Sequence, residues 1–156
     1  MNTKKHLLVC CSTLIIVLTT ACAEGDYHEV VNDLYFEAVG EIQAGNLDAA
    51  SGIADTLTAD YPAEPVGIFL DGFIKYHREG FDAASPIFDA FDTLAYDRFV
   101  RHYEDLEGEQ SLTALITKDA AVRLANLCVE EGRLSEHQRF SILAHDIEVM
   151  RNQRDR

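Results

Sequence analysis

Basic residues are scarce in this 156-residue chain, with 13 Lys and Arg against 27 Asp and Glu, and two of the 13 are Lys4 and Lys5 at the extreme N-terminus. Without those two the remainder is net −16, which argues against nucleic acid and anionic lipid surfaces as partners of the domain. Cysteine is nearly absent as well. Cys10 and Cys11 lie within an N-terminal apolar run and Cys22 just after it, so only Cys128 is left for the folded part. A domain with one thiol has no disulfide framework, and its stability must come from its core. No phosphate-cradling glycine loop, nucleophile elbow or His-Glu-x-x-His helix occurs. The six histidines, His6, His28, His77, His102, His137 and His145, show no i, i+3 or i, i+4 ligand spacing. No metal, cofactor or catalytic group is expected.

The one long hydrophobic run, Leu7 to Leu18, comes after Lys4 and Lys5 and ends in Thr19, Thr20, Ala21, Cys22 and Ala23. It is shorter than the roughly 20 residues that cross a bilayer, and it has the charged, apolar and cleavage regions of a secretory signal. Two cleavage readings stand side by side. Leu18-Thr-Thr-Ala-Cys22 is similar to a bacterial lipobox, which would make residues 1–21 a signal peptide and Cys22 the lipidated N-terminus. Ala21-Cys-Ala23 also fits ordinary signal peptidase, releasing a soluble periplasmic or secreted chain from Glu24. The lipid-anchored form is the expectation, because a cysteine at this spot has little other purpose.

Beyond residue 26 the chain is helical in pattern. Val30, Val31, Leu34, Tyr35, Ala38, Val39 and Ile42 trace one face of a 3.6-residue period, broken by Ala44-Gly-Asn46. A second helix is expected from Leu47 to about Ala59, ended by Pro62, and a third from Pro65 to about Arg78, where Pro65 suits a first turn. A fourth begins near Asp82, with Pro86 tolerated in or near its first turn and Asp92 on the solvent side. After an acidic stretch, Leu112, Ile116, Ala120, Leu124, Leu127 and Cys128 mark another stripe ending at Gly132, on which Cys128 reads as a buried small hydrophobe. Ser135 and Gln138 have the form of a capping box before a last helix carrying Phe140, Leu143, Ala144 and Ile147.

Two segments nearly repeat each other. Leu47-Asp-Ala-Ala-Ser-Gly-Ile-Ala-Asp55 and Phe81-Asp-Ala-Ala-Ser-Pro-Ile-Phe-Asp89 share Asp-Ala-Ala-Ser-x-Ile-x-Asp at an offset of 34 residues. A helix hairpin cannot bury its apolar face alone, so tandem copies stack, and repeated contact residues keep the interfaces alike. With units 31–64 and 65–98, small residues align at Ala38 and Gly72 and again at Ala50 and Ala84. Packing residues align at Ala54 and Phe88 and at Leu57 and Phe91, with Pro62 closing the first unit. At these positions the sequence resembles the tetratricopeptide repeat family. Glu37 and Asp71 depart from a usual leucine, Glu41 and Lys75 from a usual tyrosine, and Tyr96 from the closing proline. A degenerate third unit is suggested by Ala125, Gly132 and Leu134, with His137 where a small residue belongs.

The expected architecture is therefore all-α: antiparallel hairpins stacked as a short solenoid over 31–98, preceded by a tether at 22–30 and followed by a helical extension at 99–156. A generic helical bundle is the alternative. The resemblance implies a non-catalytic scaffold that binds a protein or peptide, a basic one given the acidic surface, in a groove lined by first helices. By register its residues would be Tyr35, Val39, Phe69, Phe73, Tyr76 and His77. A carrier of a small molecule or lipid, with a pocket between helices, is the second reading.

Overall fold

Each hairpin of the fold turns on a glycine whose backbone other residues adopt only with strain: Gly45 at φ +83°, Gly80 at φ +90° and Gly132 at φ +69°. The computed structural model describes residues 27–103 and 111–154, and the expected signal peptide and the lipidation residue Cys22 lie outside them. Helices α1 (27–43) and α2 (Leu47–Asp60) form the first hairpin, α3 (Pro65–Glu79) and α4 (Phe81–Tyr96) the second, and α5 (Ser111–Glu130) and α6 (Leu134–Arg154) the third. No strand occurs among the described residues. The two helices of each hairpin pack together, α2 packs on α3, α3 also touches α5, and α4 touches α6. Tyr35 brings α1 against α3 and α5, so the first helices neighbour one another, and among the second helices α4 neighbours α6.

The repeat is a packing repeat. Ala50 and Ala84, Leu57 and Phe91, and Ala54 and Phe88 are all buried, as are Ala38 and Gly72 on the first helices. A Cβ on Gly72 would come within 2.7 Å of the Phe88 ring, so the large residue on α4 is accommodated by the absent side chain on α3. The acidic residue that opens each copy also has a repeated task. Asp48, in the first turn of α2, accepts from Arg78 of α3 at 2.5 Å, and Asp82, in the first turn of α4, accepts from Arg133 beyond α5. In both cases an aspartate at a helix N-terminus, where the dipole favours it, is tied to the next hairpin. The closing aspartates differ. Asp89 accepts from Arg139 of α6 at 2.6 Å, whereas Asp55 faces Asp71, whose carboxyl is pushed up by burial and then by the charge of Asp55.

Two local expectations, the capping box and the exposure of Asp92, are corrected. Helix α6 starts at Leu134, with the His137 amide bonded to the Arg133 carbonyl at 2.9 Å, so Ser135 lies inside the first turn and its hydroxyl bonds Glu136 rather than capping. Pro86 is the sixth residue of α4, just past the first turn that begins at Phe81, as expected. Asp92 is half-buried beside Arg139 at 3.5 Å instead of standing free in solvent. The core stripe of α5 and α6 is as expected from Ile116 onward, with Ile116, Ala120, Leu124, Leu127, Cys128, Phe140, Leu143, Ala144 and Ile147 all buried, whereas Leu112 is half-buried at the start of α5. Burial pushes the Cys128 thiol up to about 11, leaving it protonated and unreactive at neutral pH.

Candidate functional site

The first helices meet at their centres. Tyr35 of α1 donates to Asp119 of α5 at 2.7 Å, Arg123 holds the same carboxylate at 2.6 Å, and the Tyr35 ring lies 6.0 Å from that of Phe69 on α3. Tyr35 and Phe69 are wholly buried and Val39 is 4% exposed. These three expected groove residues are core: α1 and α5 are linked across the place where an open groove would lie, and aromatic rings fill it. The buried Tyr35 phenol is pushed far up by desolvation and by its bond to Asp119, which makes it a fixed donor.

The other three groove residues continue the same line outward. Phe73 stacks on Phe69 with centroids 5.3 Å apart and on Tyr76 at 6.3 Å, and His77 packs its edge against Phe73 at 5.2 Å. Along α3 the column passes from buried Phe69 through half-buried Phe73 and Tyr76 to exposed His77. The Tyr76 hydroxyl donates to Glu131 at 2.8 Å, in the turn after α5, and that bond raises its pKa. Glu130 adds to the negative potential there. The helical phase of α3 explains the arrangement: residues 69, 73, 76 and 77 share one stripe at i, i+4, i+7 and i+8.

A second polar centre was not anticipated from the sequence. Glu64, 2% exposed at the entry to α3, accepts from Tyr27 of α1 at 3.1 Å and from Arg98 beyond α4 at 2.7 Å. Its other oxygen, Arg98 Nε and His28 Nδ1 are buried without a partner. Desolvation raises the Glu64 carboxyl despite Arg98, and raises Tyr27 to about 12. The only hint in the sequence is a glutamate immediately before Pro65, where a helix N-terminus favours an acid. The centre clamps the first hairpin to the second.

No group of three or more His, Cys, Asp or Glu side chains is placed to hold a metal among the described residues, and no described helix is long and apolar enough to cross a membrane. The surface clefts beside Tyr96 and Arg101, beside Ser85 and Arg139, and beside Asn46 and Arg78 are open to solvent. No family model matches the chain, and neither does a curated protein or a solved structure.

Proposed function

We propose that the protein is a non-catalytic interaction scaffold of the bacterial cell envelope, of tetratricopeptide-like type, held at the membrane by a lipid on Cys22. Its partner is a basic protein or peptide segment, and the contact surface is the outer end of the α3 column: Phe73, Tyr76 and His77 beside Glu130 and Glu131. The observation that carries the reading is that column, which brings aromatic rings anchored in the core to an acidic rim. Half-exposed aromatic anchors are the usual centres of binding energy, while a negative rim favours basic partners and speeds encounter.

The test is capture of a partner by crosslinking in intact cells. Tyr76→Ala should weaken capture by about 1–2 kcal/mol and leave the helical melt nearly unchanged, and raised salt should slow association of the purified components. Retention of every crosslinked partner by Tyr76→Ala with His77→Ala would overturn this surface. The carrier reading predicts instead a ligand extractable by organic solvent from the purified protein.

A further inference from the structure

The two ends of the hairpin stack are built differently. On the first hairpin the exposed positions include Glu29, Asp33 and Glu37 of α1 and Asp48, Asp55 and Asp60 of α2. The first hairpin also exposes the apolar Val30 and Phe36, but among those carboxylates, whereas on the last hairpin the exposed apolar residues among those described are five and stand beside Asn126, Glu130, Gln138 and His145. Leu115, Val122 and Val129 of α5 are 42, 40 and 51% exposed, and Leu134 and Ile142 of α6 are 71 and 52% exposed. The α5 residues recur every seven positions, which keeps them in one line along the helix.

The contacts between Lys118 and Glu148 and between Ala125 and His137 fix the antiparallel register of α5 against α6. In that register Leu115 lies opposite half-buried Val149, Val122 opposite Ile142, and Val129 opposite Leu134. Helical phase puts both lines on the same side of the hairpin, next to its α5–α6 contacts. They form three apolar rungs, flanked by the uncharged Asn126 and Gln138, by His145 and by the mutually neutralised Lys118–Glu148 pair. Helix α5 thus carries, besides its core face, a second apolar line at Leu115, Val122 and Val129 on its solvent side, between the polar positions Lys118, Arg123 and Asn126. A repeat stack requires a polar outer face at its ends, and at this end that face is interrupted by the line of rungs.

We propose that this face is where a second copy of the same chain docks, the α5–α6 hairpins of the two copies packing against each other about a two-fold axis through the Val122–Ile142 rung. Charge selects that occupant. Residues 27–103 hold 14 acidic and 4 basic residues, whereas residues 111–154 hold 6 of each. Two last hairpins meet without net repulsion, while a last hairpin stacked on another copy's first hairpin would set apolar rungs against carboxylates. The spacing is also self-complementary: Leu115 and Val129 lie seven residues either side of Val122, so a two-fold rotation matches rung to rung, as an isologous contact requires.

The test uses two differently tagged copies of the full chain, expressed together and crosslinked in cells before extraction. The expected result is an adduct carrying both tags, reduced by about tenfold or more by Val122→Glu with Ile142→Glu, since the interface would then bury unpaired carboxylates. Asp33→Lys, at the other end, should leave it unchanged. Because a single copy exposes both substituted positions, the variant should keep its helical circular dichroism. Should the double variant fail to fold, Ile142→Asn gives the same reading in milder form. An absent mixed-tag adduct, or one that survives substitution of the rung, overturns the proposal. So does an Ile142→Asn chain that folds and keeps its mixed adduct but loses a different polypeptide, or a monomer whose rung is already shielded from labelling by its own chain. Loss of the mixed adduct with the Tyr76-dependent partner retained separates this surface from the α3 column.

Discussion

The first two hairpins and the last one solve the same packing problem with different chemistry. In the second hairpin Gly72 leaves room for the Phe88 ring, and the equivalent positions of the first hairpin are the two buried alanines Ala38 and Ala54, with Ala50 and Ala84 buried at matching positions. In the last, His137 stands where those alanines stand, and its ring bonds the Ala125 carbonyl at 2.9 Å instead of filling an apolar notch. The duplicated pair carries the negative charge and ties each copy to its successor through Asp48 and Asp82. The last hairpin is neutral and ends in apolar rungs. Tolerance of sequence change within one architecture comes from compensation across the helix pair, and the chemistry of each outer face is left free to vary.

The sharpest way to break that comparison is at the Gly72–Phe88 contact. Phe88→Ala should cost about 3–5 kcal/mol in denaturant melts, as a large buried ring is lost. Gly72→Ala alone should cost about 1–3 kcal/mol through overpacking. Combined with Phe88→Ala the cost of Gly72→Ala should vanish, because the pair then has the Ala–Ala composition of Ala38 and Ala54. Glu37→Ala, on the exposed face of α1, should stay within about 0.5 kcal/mol. Simple additivity of the two substitutions would show that the hairpins do not share a register.

These contacts also mark how far the sequence could be read. The 34-residue offset, the turn glycines and the apolar stripes are local signals with a fixed period, so helix order and the core of all three hairpins were legible in advance. The binding surface was not. Tyr35, Val39 and Phe69 occupy the register of a groove, but whether a groove is open depends on how α1 and α5 approach, and that is set by Asp119 and Arg123, some 80 residues away. Glu64 and Arg98 are equally invisible, because a surface glutamate and a buried one look alike in one sequence. The rungs on α5 and α6 were missed because Leu115, Val122, Val129 and Ile142 fall off the core stripes, and the periodicity that finds a core face gives no sign that apolar residues off it line up across two helices.

A smaller effect sharpens the contrast between buried and exposed acid. The Glu64 carboxyl is raised above its ordinary value of 4.5 by burial, so the folded state holds its proton more tightly than the unfolded state does. Stability contributed by that proton is present below the ordinary value and is lost as pH rises through the folded one. Glu64→Gln keeps an acceptor for Tyr27 and Arg98 but cannot ionise. The difference in unfolding free energy between variant and parent should therefore shift in favour of the variant as pH rises above about 4.5 and level off at higher pH. A difference that is flat across this range would place Glu64 with the exposed acids.

The claim that the two surfaces serve different partners is tested most directly by one photo-crosslinking side chain placed in turn at His77 and at Ile142 of the full chain in living cells. From Ile142 the account predicts an adduct containing only this chain, at twice its mass. From His77 it predicts an adduct with a different polypeptide that disappears with Tyr76→Ala. Self-adducts from both positions, or a foreign polypeptide captured at Ile142, would contradict it.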